Sequence, residues 1–77
     1  MTTIEDLVAL AKHVDRRLGL PNNTHIIEVA YGQPRLVRDG GSVDVSPRLS
    51  KPMLKVWIYA YLAGIDIALR PNHDPHR

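Results

Sequence analysis

The sequence predicts an α+β domain: helix, three-stranded antiparallel meander, helix (αβββα), with both helices on one face of the sheet. Three observations lead there. Apolar residues first recur at helical spacing, alternate with polar ones from His25, and return to helical spacing after Ser50. Turn-forming residues stand at both changes of period, Pro21-Asn22-Asn23-Thr24 at the first and Pro47 at the second. The chain is also short, 77 residues, which predicts one domain over residues 1–70. The polar, proline-punctuated segment 71–77 predicts a flexible tail.

Each element has a local cause. Thr2 or Thr3, followed by Glu5 and Asp6, reads as a capped helix start, with acidic groups near the positive end of the dipole. Ile4, Leu7, Val8, Ala11, Val14 and Leu18 form one apolar face, while Lys12, Asp15 and Arg16 take the wet side. Gly19 is placed to end that helix in a left-handed turn. From His25 the period is two, with Ile27, Val29 and Tyr31 on one face and Ile26, Glu28 and Ala30 on the other. Gly32-Gln33-Pro34 breaks this strand. Arg35–Arg38 and Ser42–Ser46 flank Asp39-Gly40-Gly41 as a hairpin. Val43 and Val45 are expected toward the core, and Ser42, Asp44 and Ser46 toward solvent. Ser50 caps a second helix that tolerates Pro52 in its first turn and ends by Arg70, before Pro71.

Composition narrows the function classes. With no cysteine there is neither a disulfide framework nor a thiolate metal site. A core this small usually gains support from elsewhere, and oligomerisation is what remains. The lack of cysteine and of a signal peptide before the first helix predicts a cytoplasmic location. A net charge of +2 implies no nucleic-acid partner by itself.

The second helix is the most apolar stretch, yet Lys55 and Asp66 argue against a membrane span. Each would cost roughly 2.5–3.5 kcal/mol near a bilayer centre. Wound as a helix, Lys55, Tyr59, Asp66 and Arg70 form one stripe. Met53, Trp57, Ala60, Gly64 and Ala68 lie opposite, small enough for a close backbone approach. Leu54, Ile58, Leu62, Ile65 and Leu69 form a third row spaced like a coiled-coil seam. The apolar arc exceeds that of a usual surface helix, so this row is expected to be an oligomer seam, making a homodimer or higher assembly.

A basic group, Arg48, Lys51 and Lys55, lies at the start of this helix with Ser46 and Ser50, and is a candidate anion or phosphate site. Ser50-Lys51-Pro52-Met53-Leu54-Lys55, in a helix–three-strand–helix order, resembles the Ser-Lys-Lys-x-Ala-Lys of double-stranded-RNA-binding domains. That likeness implies phosphate contacts through Lys51 and Lys55. Pro52 stands where that family has a central lysine. Lys51, Leu54, Trp57, Ala60, Ala63 and Gly64 are similar to the closing helix of small uncharacterised accessory proteins of tailed bacteriophages, especially those infecting actinobacteria. This second resemblance implies an accessory role in an infected cell, in the host cytoplasm, and transfers no site.

Catalytic signatures are not apparent. His13 reads as a surface residue and His25 as packing or solvation, and neither forms a nucleophile–base set with Ser42, Ser46 or Ser50. His73-Asp74-Pro75-His76 has metal-ligand types but no third histidine nearby, so no metal or cofactor is expected. Glu28 and Asp44 are expected as neighbouring carboxylates on the outer sheet face. The expected function is that of a non-enzymatic homo-oligomeric interaction protein, a phage accessory protein binding a host or viral protein. The alternative is a nucleic-acid or nucleotide phosphate binder using the basic start of the second helix.

Overall fold

The computed structural model describes residues 1–69. The Leu69 side chain and residues 70–77, and with them the predicted tail and its histidines, lie outside the described residues. The elements are α1 (Ile4–Leu18), β1 (His25–Ala30), β2 (Gln33–Arg38), a 3-10 turn (Asp39–Gly41), β3 (Val43–Asp44) and α2 (Lys51–Leu69). The strands form one antiparallel sheet in the order β1-β2-β3. This is the predicted α+β architecture, with α1 packed on β1 and α2, and α2 on β2. The helices run in the same direction: Lys55 lies near Asp6 at one end, and Arg17 pairs with Asp66 at the other.

α1 is fixed at both ends by its own residues. The hydroxyl of Thr3 accepts from Asp6 N (3.2 Å) and the Asp6 carboxylate accepts from Thr3 N (3.0 Å), a reciprocal capping box. At the other end Gly19 adopts φ +69° and donates to Arg16 O, while Leu20 N donates to Asp15 O (2.8 Å). That left-handed turn favours glycine and satisfies two terminal carbonyls.

The strand boundaries differ from the sequence reading. β1 and β2 join through Tyr31 and Gly32, both at positive φ (55° and 71°), and Ala30 pairs with Gln33 immediately beyond. The two left-handed residues give the twist that a two-residue hairpin requires. Pro34 therefore lies inside β2, opposite Val29, rather than breaking the strand. β3 reaches only Val37 and Arg38, so no β3 partner at Pro34 misses its N–H. Beyond Asp44 the regular ladder stops in a bulge, where Val45 N and Ser46 N both donate to Leu36 O (2.9 and 3.0 Å). Ser46 turns inward there, is buried, and accepts from Leu36 N (2.8 Å). It does not face solvent as its place in the alternation suggested.

Leu7, Ala11 and Val14 of α1, Leu36 of β2, and Leu54, Ile58, Leu62 and Ile65 of α2 make one continuous core. Each large aliphatic side chain so buried contributes about 1.5–3 kcal/mol. The row expected to be an oligomer seam is thus the internal face of α2. Leu62, at 7% exposed, packs within the chain because α1 lies beside α2 and covers it. No helix among the described residues is long and apolar enough to cross a membrane.

Candidate interaction face

With Leu54, Ile58, Leu62 and Ile65 turned inward, α2 still carries a second apolar row. Met53, Val56 and Ile67 are 57%, 63% and 66% exposed, and Ala60, Ala63 and Gly64 between them are exposed too. Met53, Val56, Ala60, Ala63 and Ile67 follow one another at steps of three and four, the spacing of a helix–helix seam. At roughly 100° per residue this row lies about 180° from the core row, pointing away from both α1 and the sheet. Tyr59, about half exposed, borders it.

The centre of the row is small. A Cβ added at Gly64 would meet nothing within 4 Å, so no packing inside the described chain requires glycine there. Glycine inside a helix costs about 0.5–1 kcal/mol relative to alanine. Ala60, Ala63 and Gly64 let another backbone come close, with Met53, Val56 and Ile67 filling the wider space where two crossed helices diverge. The sequence reading placed Met53, Ala60 and Gly64 together but missed Val56 and Ile67. Their stepwise spacing was the available signal; the stronger leucine–isoleucine row obscured it.

The basic group does not remain together. Arg48 donates to the Glu28 carboxylate (2.7 Å) and to Gln33 O (3.3 Å), with its guanidinium 5.8 Å from the centre of the Tyr31 ring. Arg35 bridges Glu28 (2.9 Å) and Asp44 (3.0 Å). The hydrogen bonds from Arg35 and then Arg48 hold the Glu28 carboxyl below its ordinary range, and Glu28 in turn raises the Arg35 guanidinium. The expected carboxylate neighbours, Glu28 and Asp44, are therefore joined through an arginine between them. Ser46 is occupied by Leu36 N and the Pro47 carbonyl and offers nothing to an anion. Lys51 and Lys55 remain, lining an open cleft of about 490 Å³ with Met1, Thr2, Gly32 and Pro52.

A buried pair was not foreseen. Asp15, expected on the wet side, is fully buried, and its carboxylate accepts from Thr24 N (3.1 Å), His25 N (3.0 Å) and His25 Nδ1 (2.7 Å). It lies in the last turn of α1, where β1 returns over the helix, and it satisfies the donors at the strand's start. His25 Nε2 is buried without a hydrogen-bond partner, and the centres of the His25 and Tyr61 rings lie 6.5 Å apart. Among the described residues no group of three or more His, Asp or Glu gathers as a metal site. No family model matches the chain, nor does any curated protein or solved structure.

Proposed function

We propose that the protein is a small non-enzymatic interaction protein that self-associates through the outer face of α2. The observation carrying this reading is the exposed row Met53, Val56, Ala60, Ala63 and Ile67, with Gly64 beside it, on a helix whose opposite face is already buried. A soluble helix normally has one apolar stripe, and a second one is stable in water only at a cost in exposed apolar area. A helix from a second copy supplies the missing cover with complementary spacing, as a homodimer or a higher assembly. The resemblance of the closing helix to phage accessory proteins extends the proposal to a role in an infected cell, where the assembled form binds a host or viral protein. Val56→Glu tests it. This exposed position should leave the fold intact and abolish concentration-dependent assembly, measured by sedimentation equilibrium up to millimolar protein. Unchanged assembly would refute the α2 face.

A second reading, a nucleic-acid or nucleotide phosphate binder, is favoured by one observation, the Lys51–Lys55 cleft beside the start of α2. Arg48 contributes less than its sequence position suggested because Glu28 and Tyr31 engage it. Phosphate binding here would weaken steeply with salt and be lost in Lys51→Glu plus Lys55→Glu. Affinity for oligonucleotide unchanged in that double variant would remove this reading.

A further inference from the structure

The outer edge of β1 is unpaired, and its geometry specifies which groups are available. In an antiparallel ladder, directly opposed residues either both turn their backbone polar groups toward each other or both turn them away. Leu36 turns its groups away from β1, since its oxygen accepts from Val45 N (2.9 Å) and Ser46 N (3.0 Å) and its N–H goes to Ser46 Oγ (2.8 Å). Pro34 does the same, its oxygen accepting from Leu49 N (3.1 Å). The β1 residues opposite them are Ile27 and Val29. Their N–H and C=O groups therefore point out of the sheet at the β1 edge. Among the described residues no turn, loop or side-chain group bonds to them. His25 belongs to the same outward set, but Asp15 already takes its N–H (3.0 Å). Asp15 thus caps the beginning of the edge and fixes it, leaving the His25 carbonyl and both groups of Ile27 and of Val29 presented in strand geometry.

The edge also has none of the usual protections. β1 reads His-Ile-Ile-Glu-Val-Ala, without proline, lysine or a bulge. Its one charge, Glu28, is neutralised by Arg35 and Arg48. Because Asp15 reaches this edge, the α1 flank above it is the one carrying Lys12 one turn back and Val8 two turns back. Stepping about 1.5 Å per residue down α1 and about 3.3 Å per residue along β1 brings Val8 to the level of Glu28, between Ile27 and Val29. Val8 and Val29 are 37% and 49% exposed, and Lys12 is exposed with no ion pair among the described residues.

We propose that the β1 edge binds an extended segment of another protein by strand addition. Main-chain bonds form to Ile27 and Val29, an apolar side chain packs on Val8 and Val29, and a carboxylate meets Lys12. Pairing through alternate main-chain groups gives affinity, and the side chains above the edge give selectivity. A second copy fits less well, because a two-fold axis at Ile27 would bring Lys12 against its own counterpart, and one further along the strand would leave Lys12 without the partner's carboxylate. The site is independent of the α2 face, so each proposal fails or stands separately.

The test uses the Val56→Glu protein, to keep α2 association out, and two capped hexapeptides, Val-Thr-Val-Thr-Glu-Thr and the same peptide with Lys in place of Glu. In the peptide-free protein the Ile27 and Val29 amides should exchange with solvent faster than those of Ile26, Glu28 and Ala30. Millimolar Glu peptide should slow Ile27 and Val29 by about tenfold or more and shift the resonances of Val8 and Lys12. Lys12→Glu should reverse the preference between the peptides. Equal protection along β1 in dilute protein, protection that rises with protein concentration alone, or no slowing with either peptide would overturn the proposal. Identical binding of both peptides would overturn the role of Lys12.

Discussion

α2 has two apolar faces that are alike in composition and opposite in circumstance. One, Leu54, Ile58, Leu62 and Ile65, is buried at 0–9% exposure against α1 and β2. The other, Met53, Val56, Ala60, Ala63 and Ile67, is exposed. The difference lies in what surrounds the helix. α1 and the sheet cover two adjoining sides of α2, and a β3 of two residues extends no further wall around it. The lesson is that the identity of the apolar residues on a helix does not say which row is inside.

Substitutions on the two faces should separate cleanly. The largest effect belongs to the inner face: Leu62→Arg puts a charge without a partner into the core and should cost about 4–5 kcal/mol or more. Urea denaturation should show a chain largely unfolded before denaturant is added. Asp15→Ala comes next, because it strips Thr24 N, His25 N and His25 Nδ1 of their shared acceptor. A loss of about 3–5 kcal/mol is expected in the same assay. On the outer face Val56→Glu should change unfolding free energy by no more than about 0.5 kcal/mol while removing assembly. Gly64→Ala sharpens the contrast, since the two readouts should move in opposite directions. The monomer should gain about 0.5–1 kcal/mol from helix propensity, while the methyl group holds a partner helix away and weakens association.

The smallest effect concerns acid. The carboxyls of Asp6 and Glu28 are held below their ordinary 3.8 and 4.5, Asp6 first by the Thr3 N–H and Glu28 first by Arg35. Each therefore contributes fully at neutral pH and loses that contribution as the pH falls through its lowered folded value. Glu28→Gln should flatten the decline in melting temperature below about pH 4.5, and an unchanged slope would remove Glu28 from this account.

Much of the fold was legible because its signals are local. The Thr3–Asp6 cap, the Gly19 stop, the change of period at His25 and the Asp39-Gly40-Gly41 turn each depend on a few adjacent residues. What was not legible depends on residues distant in sequence. Pro34 entered β2 because Tyr31 and Gly32 made a tighter turn than their composition announced. Asp15 looks like a wet-side residue on the helical wheel, and only the return of β1 buries it. Arg48 appeared to belong with Lys51 and Lys55 until the hairpin brought Glu28 beside it. The inner and outer faces of α2 were exchanged for the same reason: Leu62 borders charged residues in the sequence pattern, but α1 covers it in the fold.

The most direct test of the α2 account is sedimentation equilibrium of the unaltered protein and Val56→Glu, from low micromolar to millimolar, with melting curves for both. The unaltered protein should assemble reversibly, Val56→Glu should be monomeric, and the melting curves should superimpose after allowance for dissociation. An unaltered protein that stays monomeric at millimolar concentration, or a Val56→Glu that assembles equally well, would contradict it.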